Sequence, residues 1–310
     1  MTGTRVRPVD AALLAVGVLG VSMSGPLMAS MAVPALAIAF WRNAMGTAAL
    51  APLAVRHVPV MRGLAGRPAA TIVLAAIALA VHFACWVSAL HLTTVAAATA
   101  LVCVQAGFVV LYAWSRGEAV TRRLLVGLLT CLAGVLVVTG VDLRVSRDAL
   151  IGDLLALAGG AAAAVYVVAG AAVRRTTNTI VYTFTCYGLC AVLLLVVCLA
   201  GGQPLGGYAA ADWWRLVAVT AVAQLAGHSV FNHVLATVSP TLVSLVILLE
   251  VPGAALLAGW WLGQAPPLGV WAGLALLLGG LALVVTARAA AYSGERSHGS
   301  RGSTARPPPR

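Results

Sequence analysis

The sequence predicts an all-α integral membrane protein, and three observations predict it. Of 310 residues, 62% are hydrophobic and only 9% are charged, against about one quarter charged in a soluble domain. Mean hydropathy is +1.01. The apolar residues fall in runs near the roughly 20 residues that cross about 30 Å of hydrocarbon. Cutting at charges, Gly/Pro clusters and polar turns gives ten such runs with almost nothing left over, so no soluble domain is expected.

Span one (11–29) follows Arg5 and Arg7 but runs on past the length of a signal-peptide core, with no cleavage site before a soluble region, so a retained helix is expected. Pro26 should kink it and act as a gate. Span two (34–55) carries Arg42, whose guanidinium is suited to a substrate carboxylate, to snorkelling, or to a partner such as Glu250. Span three (69–91) places His82 and Trp86 on one face, and span four (94–114) does the same for Leu101, Gln105, Phe108 and Tyr112. Span five (123–141) carries Gly127 and Gly134. Span six (150–172) sets Tyr166 on a face with Gly159, Ala163 and Gly170. Small residues there permit close helix approach.

Span seven (180–200) contains Cys186 and Cys190, which share a face but have no third ligand nearby. All six cysteines lie within spans, where thiols behave as small hydrophobes; neither a disulfide nor a metal site is expected. Span eight (213–236) carries Gln224, His228 and Asn232 at i, i+4, i+8. His91 and His233, nearer helix ends, are read as packing or interfacial, and Trp260, Trp261 and Trp271 as interface anchors.

Span nine (240–262) contains Glu250 and Pro252 in an otherwise apolar run. A bare carboxylate at mid-membrane costs roughly 2.5–3.5 kcal/mol on insertion scales. Glu250 should therefore face the bundle interior, a watery cavity or a proton. Pro252 has no N–H, which would leave the Leu248 carbonyl free beside the carboxylate. Two roles are open: Glu250 binds a proton or a cationic group in one conformation and releases it in another, or it hydrogen-bonds locally to fix the bundle. Span ten (268–288) is glycine-rich, and residues 291–310 form a basic tail expected to be disordered.

The net charge of +11 comes from arginine alone. With a cytoplasmic N-terminus, fifteen arginines fall inside and three (Arg144, Arg147, Arg215) outside, with Arg42 within a span. The positive-inside rule thus puts both termini in the cytoplasm. The basic balance is a topology signal and implies no nucleic-acid partner.

Laying the second half on the first at an offset near 146 pairs His82 with His228, Gly127 with Gly273 and Gly134 with Gly280. At an offset of 145, Thr94-Val95 meets Ser239-Pro240 and Gln105 falls opposite Glu250. Gly117-Glu118 meets Gly263-Gln264 after a one-residue insertion. Five spans per half is odd, so the halves enter from opposite sides: an inverted repeat, with residues 1–146 and 147–290 as its units. In such transporters the substrate site lies near the midplane between the halves.

These residues resemble a known family. The run Leu235-Ala236-Thr237-Val238-Ser239-Pro240-Thr241-Leu242-Val243-Ser244-Leu245 leads to Leu248-Leu249-Glu250, Leu262-Gly263-Gln264 and the glycine-rich last span. The first half echoes it in Ala89-Leu90-His91-Leu92-Thr93-Thr94-Val95-Ala96-Ala97-Ala98 and Gly117-Glu118, with Ala39-Phe40-Trp41-Arg42 in span two. Over about residues 10–288 this is similar to the EamA-type, ten-helix branch of the drug/metabolite transporter superfamily. Two departures stand out. Val251 separates Glu250 from Pro252 where the family often has Glu-Pro, and Val104-Gln105-Ala106-Gly107 stands where a Ser-x-x-Pro pattern is common. The resemblance implies a bacterial inner-membrane exporter or permease for small metabolites, commonly amino acids and related compounds.

The expected cavity is lined by Glu250, Gln105, Arg42, His82, Trp86, Tyr112, Tyr166, Gln224, His228 and Asn232, with Pro26 and Pro252 as kinks. It suits a zwitterion with an apolar side chain, and a hydrophobic cationic drug nearly as well. An enzyme would need acids, histidines or a nucleophile with its base gathered at one depth. Ser22 and Ser24 beside Gly25 lack a nearby histidine, and the other acids stand singly at span ends. No Walker-type loop is present. A non-transporting scaffold would explain the helices but not the matched polar positions. The expected partners are a small molecule, protons and the lipid bilayer, with a homodimer left open and no cofactor.

Overall fold

Backbone N–H and C=O groups in hydrocarbon must be satisfied within the segment, which leaves the helix as the form for long Ala/Leu/Val runs. The computed structural model describes residues 7–117, 121–142 and 146–264, and beyond these 268–269, 271–273, 275–276, 278–280 and 283. Every regular element among them is helical. Glu118, Arg5, Arg144 and the basic tail lie outside the described residues, as does part of the tenth expected span.

Six helices or helix pairs are long and apolar enough to cross a membrane. They are α1 and α2 (Pro8–Ser22, Ser24–Ala29), α5 (Gly66–Ala89), α6 and α7 (Val95–Val102, Gln105–Ser115), α9 (Arg147–Arg174), α10 (Thr179–Ala200), and α13 and α14 (Pro240–Ile247, Glu250–Leu262). Three further helical stretches occupy other expected positions. These are α3 (Ala35–Ala54), α8 (Arg122–Asp142), and α11 (Ala210–Val219) continued through a π-helical segment, Thr220–Ser229, into α12 (Val230–Val234). A short helix, α4 (Val58–Arg62), follows α3 after a tight turn.

Two of the helix pairs break in the same way. After α6, Val104 N–H donates to Leu101 C=O at 3.1 Å and Ala106 N–H to Cys103 C=O at 3.1 Å. After α13, Leu249 N–H donates to Val246 C=O at 3.0 Å and Val251 N–H to Leu248 C=O at 3.2 Å. These tight i→i+3 bonds turn the axis and restart each helix, at Gln105 and at Glu250. The offset of 145 also matches the caps: Thr94 Oγ1 accepts from Ala97 N–H at 3.2 Å, and Ser239 Oγ from Leu242 N–H at 3.3 Å. The restarted helices then stop at glycines with positive φ, Gly117 (83°) and Gly263 (67°), a backbone region that favours glycine.

One detail departs from expectation. The Leu248 carbonyl is not left free by Pro252, because the chain tightens and Val251 N–H takes it.

Glycines let the helices touch backbone to backbone. A Cβ on Gly20 would sit 2.3 Å from the Val222 carbonyl oxygen, and one on Gly160 2.7 Å from that of Val102. These contacts press α1 against the π-helical segment and α9 against α6. Gly280 similarly lies on Gly127 and Cys131 of α8. Gln264, just past α14, accepts from Val95 N–H at 3.2 Å and so caps α6 across the two halves.

Candidate functional site

The helix breaks, α5, α9 and the π-helical segment converge on a cavity of about 40 Å³. A water needs about 10–15 Å³ by this measure, so it has room for about three waters. Its polar wall is His82 and Trp86 from α5, Gln105 opening α7, Tyr166 from α9, His228 from the π-helical segment, Asn232 from α12 and Glu250 opening α14. Val21, Val102, Val167, Phe231, Leu235 and Ile247 contribute apolar surface.

The rings are mutually oriented. His82 donates through Nδ1 to the Gly159 carbonyl at 3.0 Å, so in the neutral ring Nε2 is the acceptor. The same ring stacks on Trp86, with centroids 5.7 Å apart and planes at 15°. His228 lies 6.3 Å from His82 and 6.4 Å from Tyr166, edge-on to Phe83 at 5.3 Å. The Asn232 carboxamide faces the Tyr166 hydroxyl, 2.8 Å from Oδ1 and 2.6 Å from Nδ2, and donates to Tyr187 at 3.3 Å.

Glu250 is different. It is 6% exposed and lines the cavity, yet makes no hydrogen bond or ion pair among the described residues.

Arg42 does not line the cavity, nor is it bonded to Glu250. Fully buried, it donates through Nε to Gln224 Oε1 at 2.9 Å and through Nη1 to Ser24 Oγ at 3.2 Å, and its guanidinium carbon lies 4.1 Å from the Phe83 ring centroid. Gln224 in turn donates to Asn43 Oδ1 at 3.0 Å. Gln224 was expected on one face with His228 and Asn232 at helical spacing. The wider π-helical turns rotate it away, toward α3, and leave the other two on the cavity.

Tyr112 also misses the cavity and is 49% exposed. Beyond the break the buried face of α7 is carried by Ala106, Val109 and Val110, with Tyr112 outside it. Pro26 interrupts span one at Met23, and with Met23, Leu257, Trp260 and Trp261 it lines a separate apolar groove. Pro252 is half-buried in the first turn of α14.

Sequence reading missed Asn43, Ser24 and Phe83, which hold Arg42 and Gln224, and Tyr187, which bonds Asn232 and Ser229. An intramembrane Asn beside an intramembrane Arg was the available signal for Asn43. On the side of the bundle where α1 begins, Asp10 takes both Arg7 Nε and Nη2 at 2.9 Å and Thr237 Oγ1 at 3.4 Å. Arg174 Nε donates there to the Asn232 carbonyl at 2.9 Å. Among the described residues no three His, Cys, Asp or Glu side chains are placed to ligate a metal.

Comparison with known proteins adds three findings. No curated protein matches the chain. A solved structure, described only as "Crystal structure of protein", superposes with a TM-score of 0.71 at 21% identity, over 91% of this chain and 99% of the other; at that identity the likeness shows the fold. The model of the EamA-like transporter family matches twice, over residues 9–140 and 150–286. Together these two matches take in nearly the whole helical region, and the chain belongs to the EamA-like transporter family.

Proposed function

We propose that the protein is a secondary active transporter that exports a small metabolite across the bacterial plasma membrane by alternating access. In this reading ten helices form two inverted five-helix units, with both termini cytoplasmic, and the cavity between the units is the substrate site. The observation that carries it is the matched pair of broken helices, each restarting at a polar residue on the cavity wall: Gln105 from one unit and Glu250 from the other. Discontinuous helices meeting at a repeat interface are the usual construction of a transport site.

Glu250 supplies the means of coupling. A buried carboxylate with no protein partner is neutralised by a proton or by a positively charged group of the substrate, and exchange between the two ties movement to a gradient. The family resemblance suggests amino acids and related compounds as one substrate class, and a carboxylate among aromatic rings favours cationic compounds as the other.

The test is a toxicity-rescue screen in an exporter-deficient bacterial host. The wild type and Glu250→Gln are scored against amino acids, their toxic analogues and cationic compounds. Resistance to one class, lost in the variant, supports export through this cavity. An expressed, correctly inserted wild type that rescues nothing counts against export.

A further inference from the structure

We infer that the cavity selects a small organic cation, an alkylammonium or quaternary ammonium group on a compact apolar body, and rejects carboxylates; the proposal takes the cavity to be the substrate site, as above. Three features of the wall carry it.

Glu250 is the sole Asp, Glu, Lys or Arg among the residues lining the cavity, and none of the described residues bonds to it. The nearest buried cation, Arg42, is not part of the wall: Gln224 and Ser24 hold its Nε and Nη1 and the Phe83 ring its face, while its Nη2 has no partner among the described residues. Because Arg42 does not line the cavity, it is not placed to clamp a substrate carboxylate in this conformation. An entering carboxylate could avoid a like-charge penalty only while Glu250 stays protonated, and no guanidinium or ammonium lines the cavity to receive it. The donors on the wall without a hydrogen-bond partner among the described residues, the Trp86 indole N–H, the Gln105 carboxamide and the His228 ring, include no guanidinium or ammonium, and neither His82 nor His228 is paired with an acid among the described residues.

The rest of the wall suits a cation. Trp86, Tyr166 and Phe231 line the same small space as the carboxylate. Aromatic faces attract ammonium groups, and the attraction grows on desolvation. A cation entering here would give Glu250 the charge-assisted partner that it lacks. The volume of about 40 Å³ restricts this conformation to a ligand of a few heavy atoms.

The test uses the full chain, purified in detergent and reconstituted in vesicles, with three matched ligands: isobutylammonium, valine and isovalerate. Ligand-induced thermal stabilisation gives binding; counterflow of labelled tetramethylammonium, and its inhibition by the three ligands, gives transport. Isobutylammonium should bind at least about tenfold more tightly than valine, isovalerate should not bind, and Glu250→Gln should weaken the cation about tenfold or more. The wild-type ranking needs no variant, so the test survives if Glu250→Gln misfolds. Valine or isovalerate binding as well as the amine overturns the inference, as does a folded Glu250→Gln that binds the amine like the wild type, or no stabilisation by either cation. Cation binding that depends on Glu250 without counterflow upholds the inference while refuting the transport reading.

Discussion

Gln105 and Glu250 are the first residues of two half-helices that restart after the same i→i+3 turn, and both line one cavity. They differ by a charge. If the two helix breaks are equivalent in use, a carboxylate moved from Glu250 to position 105 still faces the cavity. Glu250→Gln alone should cost about 1.5–3 kcal/mol of cation binding, the worth of a hydrogen bond to a charged group. The exchanged double variant, Gln105→Glu with Glu250→Gln, should recover a measurable part of that loss by calorimetry. A double variant no better than Glu250→Gln would mean that the second unit alone holds the ligand.

Pro252 looks responsible for the break in span nine, yet the break in span four forms around Val104 without a proline. A proline is therefore not required for this kind of turn. Pro252→Ala should keep the break and change stability by less than about 1 kcal/mol, since the restored N–H gains a bond only if the axis straightens. Site-directed spin labels flanking Leu248 should give an unchanged distance. A longer distance would assign the break to the proline.

The caps at Thr94 and Ser239 make their own prediction. Each hydroxyl satisfies one of the exposed N–H groups that open a helix, and removing it typically costs about 1 kcal/mol. Thr94→Ala and Ser239→Ala should each lower stability by about that amount in detergent melts, with a near-additive double variant because the two helix starts belong to different units. Strong non-additivity would indicate that the starts share partners.

Arg42 separates packing from recognition. Arg42→Leu strands Gln224 Oε1 without its donor, at a cost of about 1–3 kcal/mol. Because Arg42 lies behind Phe83, cation affinity of the folded variant should stay within about threefold of the wild type. Unchanged stability with abolished binding would put Arg42 in contact with the ligand.

Much of this was legible in the sequence because hydrocarbon makes apolar run length and intramembrane polarity unusually direct signals. The matched positions Gln105 and Glu250, and the glycines Gly117 and Gly263, were visible as residue types. Their equivalence in helix starts and positive φ is a backbone property. Gln224 was misplaced because a helical wheel assumes one period, and the period changes at Thr220 where the π-helical segment begins. Tyr112 was misplaced because the turn at Val104 starts a new helix with its own buried face. The hold on Arg42 by Ser24, Gln224 and Phe83 joins α2, α3, α5 and the π-helical segment, residues far apart in sequence that no local pattern links.

The close contacts between helices predict a graded response to alanine. At Gly20 an added Cβ would lie 2.3 Å from the Val222 carbonyl oxygen and 3.1 Å from the Gly227 nitrogen, both backbone, so α1 and the π-helical segment must separate. Gly20→Ala should cost about 1–3 kcal/mol, the usual penalty of overpacking. Gly253→Ala meets only Ser22, with Oγ at 2.4 Å and Cβ at 2.8 Å, and a side-chain rotation relieves part of the clash, so it should cost less. Gly140 has open space around it, within helix α8, and Gly140→Ala should stabilise by about 0.5–1 kcal/mol through helix propensity. Thermal unfolding of the three variants in one detergent should rank them Gly140→Ala, Gly253→Ala, Gly20→Ala from most to least stable. A neutral Gly20→Ala would show that α1 is not held against the π-helical segment, and the cavity wall built on that contact would lose its frame.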